Sequence, residues 1–244
     1  MTDLGGRTAL ITGAAGGIGQ ALAKRFAAAG ARLALVDRED TSDLAAALGA
    51  GHVARVCDLA DPSAIAAAIP AIGDDTGIDI LINNAGLGMV FPAAEAGRVE
   101  DWDRTMAINL RAPWLVAAHA LPYLKRSGRG RVVNLASQAG VVAIEDHAAY
   151  GASKAALIQL TRQMALEWAP FGITANAISP TVVETPMALV GWSGEKGERA
   201  KAQIPVGRFA RPDEIAETAL YLASDGAAIV TGANLMADGG YTIR

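Results

Sequence analysis

Tyr150 and Lys154 stand four residues apart, which puts them on one face of any helix that contains both. A free phenol, with a pKa near ~10, is a poor base at neutral pH. A neighbouring cation favours the phenolate and lowers that value. The pair can then accept a proton from an alcohol, and the same phenol can return one to a ketone. Ser137 lies 13 residues before Tyr150, just after the apolar run Arg131–Leu135. At the end of a strand, its hydroxyl can bond a substrate oxygen and stabilise developing charge. Each signal has a plain alternative. Tyr-x-x-x-Lys recurs by chance at helical spacing, and Ser137 can be a strand-end cap.

A second cluster opens the chain. Thr8–Thr12 reads as a buried strand and is followed by Thr12-Gly13-Ala14-Ala15-Gly16-Gly17-Ile18-Gly19. Glycines there let the backbone turn sharply and approach a pyrophosphate. A helix N-terminus beyond them offers free N–H groups and a positive dipole end. The spacing is T-G-x-x-x-G-x-G rather than the usual G-x-G-x-x-G, so position carries the nucleotide-binding reading. Asp37 closes the second strand, 20 residues after Gly17. Its carboxylate can accept from both adenosine ribose hydroxyls and would repel a 2′-phosphate, which favours NAD. Arg38 next to it can hold a 2′-phosphate, and Asp37 can also be a surface turn residue. Asp58 can accept from the adenine amino group or cap a helix. Asn83-Asn84-Ala85-Gly86 leaves room for a ribose, and its Asn side chains can tie neighbouring strands.

Seven short apolar runs must position these groups. They are Thr8–Thr12, Leu33–Val36, Val53–Cys57, Ile78–Ile82, Arg131–Leu135, Thr174–Ile178 and Ala233–Met236. Helix-like segments alternate with them. These are Ile18–Ala29 (ended by Gly30), a helix from Asp61-Pro62, Trp102–Lys125, Ala148–Trp168, and one from Arg211-Pro212-Asp213 to Ala223. The stretch from Pro180 to Val206 is expected to be irregular. Nearly continuous apolar strands fit a parallel sheet covered on both faces. The expectation is a single α/β domain over 1–244: a doubly wound, Rossmann-like, seven-stranded parallel sheet with helices on both faces. Residues 184–207 are expected to be a substrate-loop insertion within it.

Composition narrows the partners. The chain is 52 % hydrophobic and 19 % charged, so it reads as globular rather than disordered. A net charge of -4 without a long basic run speaks against nucleic acid. One cysteine, Cys57, allows no internal disulfide, and His52, His119 and His147 show no metal-ligand spacing. No metal is expected. No signal-peptide pattern is seen and no apolar run approaches ~20 residues, so no membrane partner and a cytoplasmic location are expected.

Together these motifs resemble the short-chain dehydrogenase/reductase family over essentially the whole chain. The matching residues are the Gly loop, Asn84-Ala85-Gly86, Asn109, Ser137 and Tyr150-Gly151-Ala152-Ser153-Lys154. The resemblance implies hydride transfer between a nicotinamide and a secondary alcohol or ketone. It implies Asn109, Ser137, Tyr150 and Lys154 as the catalytic set, the Asn109 backbone carbonyl holding a water that links Lys154 to solvent. It also implies cofactor contacts from Gly13, Gly17, Ile18, Gly19, Asp37, Asp58, Leu59, Asn84, Ala85, Gly86, Tyr150, Lys154, Pro180, Val183 and Thr185. A homotetramer is the family's commonest assembly.

The chain departs from the family after the sixth strand. The usual Pro-Gly is replaced by Pro180-Thr181-Val182-Val183, followed by Gly191–Glu198. That variant is similar to the polyol subgroup, with threitol-, arabitol- and xylulose-type dehydrogenases. Gln138, His147, Glu184 and Trp192 are candidates to bind substrate hydroxyls, or are simply solvated or packed against another subunit. The competing functions are an NADPH-dependent 3-oxoacyl-(acyl-carrier-protein) reductase and a non-catalytic nucleotide-binding protein. Asp37 and Pro-Thr-Val-Val speak against the first, and the intact Ser–Tyr–Lys set against the second.

Overall fold

The computed structural model describes residues 2–88 and 97–244. Its strands are β1 (Thr8–Thr12), β2 (Arg32–Asp37), β3 (Val53–Val56), β4 (Ile80–Asn83), β5 (Arg131–Leu135), β6 (Thr174–Pro180) and β7 (Asn234–Ala237). They form one sheet in the order β3-β2-β1-β4-β5-β6-β7, every pairing parallel. Its helices are α1 (Gly17–Ala28), α2 (Ser42–Leu48), α3 (Pro62–Thr76), α4 (Val99–Met106), α5 (Ala112–Ser127), α6 (Ala148–Trp168), α7 (Pro186–Gly191), α8 (Gly194–Ala202) and α9 (Pro212–Ala223).

Alternate strand residues feed opposite cores, as a pleated strand requires. Leu33 and Leu35 of β2 join Leu22, Phe26, Ile215 and Leu220 from α1 and α9. Ala34 and Val36 of the same strand join Ile69, Val116, Leu124 and Met164 from α3, α5 and α6. Both faces are thus covered, the expected doubly wound architecture. The chain order reverses between β1 and β4, and such folds open their ligand crevice there, beyond the strand carboxyl ends.

Several sequence expectations shift. The fourth strand begins at Ile80 rather than Ile78, because the Asp79 carboxylate accepts the Thr8 N–H at 2.8 Å and so closes the sheet's lower edge. The seven-residue α2 had been passed over, since it is too short to show a helical period. The stretch from Pro180 to Val206 is not irregular: it holds α7 and α8. Pro186 sits at the start of α7, whose cap is Thr185, with Oγ1 accepting the Ala188 N–H at 3.3 Å. Of the glycines that suggested an irregular stretch, Gly191 ends α7 and Gly194 begins α8, while Gly197 lies within α8. Val183 bridges Ala210, so both ends of the intervening segment are pinned together. No helix among the described residues is long and apolar enough to cross a membrane.

Candidate active site

Tyr150 and Lys154 lie in the first turns of α6 and face one cavity of about 310 Å³. Lys154 is buried, with Nζ donating to the Leu135 carbonyl at 2.6 Å and lying 5.7 Å from the Tyr150 ring centre. Burial pulls its pKa down to about 8. The phenol behaves otherwise than the sequence argument expected. Burial raises the Tyr150 pKa, and a hydrogen bond with Ser137 opposes that rise only in part. Taking the phenol out of water disfavours its charged form.

Ser137 does not end β5, which stops at Leu135. It begins a tight turn, Gln138–Gly140, and its Oγ accepts the Ala139 N–H at 3.1 Å. Both the capping role and a place in the cavity lining hold for this residue. Two glycines set how close the turn sits to α6. A Cβ on Gly140 would lie 2.7 Å from the Lys154 carbonyl carbon, and one on Gly151 would lie 2.8 Å from the Ala139 oxygen. Neither distance is compatible with a methyl group.

Asn109 is fully buried in a π-helical segment, Ala107–Arg111, between α4 and α5. The expected helix from Trp102 to Lys125 is thus a longer run from Val99 to Ser127 with one widened turn inside it. Pro113 supplies the physical reason. It has no N–H to give the Asn109 carbonyl four residues back, so the α-helical pattern breaks there. The Asn109 side chain accepts the Leu87 N–H at 2.7 Å and donates to the Leu87 carbonyl at 2.9 Å and to Ser153 Oγ at 3.1 Å. Ser153 in turn donates to the Tyr150 carbonyl at 2.7 Å. Ser153 was read only as part of the Tyr150–Lys154 motif, and Pro113 was not linked to Asn109, although the interval between them was a readable signal.

The Gly loop leaves β1 and turns into α1. Gly13 takes a positive φ of 68°, and a Cβ there would sit 2.7 Å from Ala85 Cα. Asn84 fastens that contact, its Nδ2 donating to the carbonyls of Thr12 at 2.9 Å and Gly13 at 3.0 Å. Asn83 bonds Asn134 on β5 at 2.9 Å, so both asparagines tie strands as expected. Gly17 touches the Thr185 methyl so closely that a Cβ would lie 2.8 Å from it. Among the described residues no acceptor engages the N–H groups of Gly17, Ile18 and Gly19. Three free donors at a helix N-terminus, beside a backbone stripped of side chains, fit a pyrophosphate. Asp37 accepts from Ala15 N–H at 2.9 Å and Glu39 N–H at 3.1 Å, which holds its carboxylate beside the loop. Arg38 is exposed and 3.7 Å from Glu39. Asp58 is exposed and bonds the Ala60 N–H at 2.9 Å; the cap of α3 is Asp61, not Asp58. Leu59 beside it is buried.

The cavity also gathers Ile18, Asn84, Gly86, Pro180, Val183 and Thr185 from the cofactor set and Gln138, His147 and Trp192 from the substrate set. His147 stacks on Trp192 with ring centres 6.3 Å apart and meets the Tyr150 ring edge-on at 5.8 Å. Gln138 is buried, and its Oε1 has no hydrogen-bond partner among the described residues. Glu184 is not brought in. It is exposed, outside the lining, and its charge acts on Lys201 and Arg208.

A dinucleotide cradle at the switch point of a doubly wound sheet, with a Ser–Tyr–Lys cluster beside it, defines a class of nicotinamide-dependent oxidoreductases. A family model described as enoyl-(acyl carrier protein) reductase matches residues 13–242. The D-threitol dehydrogenase of Mycolicibacterium smegmatis is 46 % identical, over 99 % of this chain and 95 % of its own. The NAD-dependent glycerol dehydrogenase of Listeria innocua is 43 % identical, over 98 % and 94 %. A Beutenbergia cavernae structure assigned as an NAD(P)-dependent gluconate 5-dehydrogenase, with bound NADP, superposes with a TM-score of 0.95 at 36 % identity, covering 99 % of each chain. This chain belongs to the short-chain dehydrogenase/reductase family.

Proposed function

We propose that the protein is an NAD-dependent dehydrogenase interconverting a small polyol and its ketose. One observation carries the reading: Ser137, Tyr150 and Lys154 converge on one cavity, which Ile18 of the cofactor loop also lines. NAD, when bound, supplies the acceptor for the hydride that leaves the carbinol carbon. Gly17, Ile18 and Gly19 hold its pyrophosphate, Asp37 its adenosine ribose, and Asp58 and Leu59 the adenine side. Asn84, Ala85 and Gly86 would leave space for the second ribose, and Pro180, Val183 and Thr185 would hold the nicotinamide end.

The residues of the chain manage the proton. Tyr150, as phenolate, accepts it from the substrate hydroxyl. Ser137 donates a hydrogen bond to the same oxygen and steadies its charge. Lys154, protonated at neutral pH, favours the phenolate. The Asn109 carbonyl, deprived of its helical donor by Pro113, holds a water that connects Lys154 to solvent. In ketose reduction the same groups run in reverse.

Substrate class rests on Gln138. A buried amide oxygen without a partner is costly unless the ligand brings a donor. A second hydroxyl next to the reacting carbon is such a donor, and His147 and Trp192 enclose it. The names of the two relatives, acting on threitol and glycerol, favour a polyol over a carrier-protein thioester. NAD is favoured over NADP because the Asp37 carboxylate, held beside the Gly loop, repels a 2′-phosphate, while Arg38, the cation next to it, faces Glu39. A cytoplasmic homotetramer completes the proposal, supported by large exposed apolar side chains such as Trp114 and Leu166.

Polyols and ketoses of three to six carbons, followed by NADH absorbance, test the reading. At least one is expected to turn over with NAD, at about tenfold or more higher kcat/KM than with NADP. Strong NADPH preference with a ketoacyl thioester, and no polyol turnover, would overturn it.

A further inference from the structure

A second cavity of about 190 Å³ adjoins the first. Val206, Phe209 and Ile215 give it apolar walls, and the Arg208–Glu214 ion pair gives it a charged one. Among the described residues Thr181 alone lines both cavities. Its backbone is fixed: its N–H bonds the Ala237 carbonyl at 3.2 Å, and the next carbonyl, of Val182, accepts from Ala210 at 3.0 Å. Its side chain is only 7 % exposed, and its hydroxyl has no partner among the described residues. A hydroxyl that bonds nothing does not hold the fold together. What the side chain contributes is volume, placed between two spaces.

The reacting groups occupy a cavity near the lower end of the usual ligand-site range, roughly 300–1,000 Å³. A nicotinamide and a substrate must share it. We propose that Thr181 is a specificity-determining partition that holds the enzyme to short polyols, and that the cavity beyond it is a distal subsite for longer ones. The inference rests on the alcohol-oxidising reading above. A longer polyol would find there the Thr218 hydroxyl, which donates to the Glu214 carbonyl at 2.8 Å and keeps its acceptor capacity.

The test compares kcat/KM for a tetritol and a hexitol, with NAD, in wild type, Thr181→Val, Thr181→Ala and Thr181→Gly. Valine keeps the bulk and deletes the hydroxyl; glycine deletes the bulk. The hexitol-to-tetritol ratio is expected to rise about tenfold or more in the glycine variant and less in the alanine variant. It is expected to stay within about twofold in the valine variant, which should melt at or above the wild-type temperature. An unchanged ratio in the glycine variant overturns the partition, and the alanine variant decides alone if the glycine one does not fold. A loss of about tenfold or more at every length in the valine variant also overturns it, since the hydroxyl would then be a substrate contact. Wild type inactive on every polyol refutes the functional reading instead. Crystals of the glycine variant soaked in 1,2-hexanediol then decide: density crossing position 181 supports the partition, and density confined to one side overturns it.

Discussion

Burial pulls Lys154 from an ordinary 10.5 to about 8, so the folded protein gives up stability to keep an ammonium there. The unfolded chain holds that proton up to its ordinary pKa. The loss is therefore complete below about pH 8 and fades as pH rises from 8 towards 10.5. Lys154→Met removes the buried charge but leaves the Leu135 carbonyl without its donor. The expected net gain in unfolding free energy is about 1–3 kcal/mol at pH 7, shrinking above pH 8. Urea unfolding at pH 7 and pH 10 measures it, and a variant less stable than wild type at pH 7 contradicts the account. Activity should be lost in the same variant. The sequence made this pair legible through its spacing but not the direction of the phenol's shift. Tyr150 meets the ring of His147, three residues earlier, and shares its cavity with Trp192 and the turn after β5, which come from distant segments.

At the scale of elements, catalysis depends on how closely the turn 138–140 meets α6. Gly140 has no room for a methyl group against the Lys154 and Ala155 backbone, so Gly140→Ala must push the turn outward and carry Ser137 with it. A displacement of about 1 Å at a reacting group costs on the order of a hundredfold in rate. We expect kcat/KM to fall by about that factor while NAD binding, followed by protein fluorescence, changes little. Undiminished kcat/KM would show that the contact does not position Ser137. The same scale explains what sequence reading missed. The π-helical turn around Asn109 follows from a proline four residues later, a local signal left unused. The helices α7 and α8 were hidden because five glycines and prolines between Pro180 and Val206 look like loop punctuation, whereas Pro186 and Gly194 open helices.

For the whole molecule, strand–helix alternation made the sheet and its two covered faces readable, and with them the edge where the ligands gather. Other features arise only when distant segments meet. Arg7 and Arg131 are both buried at the opposite end of the sheet, donating to the carbonyls of Ala223, Ser224, Arg129 and Gly130 and facing the exposed Asp225. No local pattern announces these buried arginines, because the Ala223 and Ser224 carbonyls that accept from them lie far along the chain. The two cavities joined at Thr181 are of the same kind. Ser137, Asn109, Tyr150 and Lys154 come from three separate stretches of chain, and the proposed chemistry exists only where the fold brings them to one crevice. Tyr150→Phe tests that most directly, with NAD-linked polyol oxidation and NAD binding measured on the same preparation. The account predicts turnover lower by about a thousandfold or more with NAD affinity within about threefold of wild type. Turnover retained within about tenfold would contradict it.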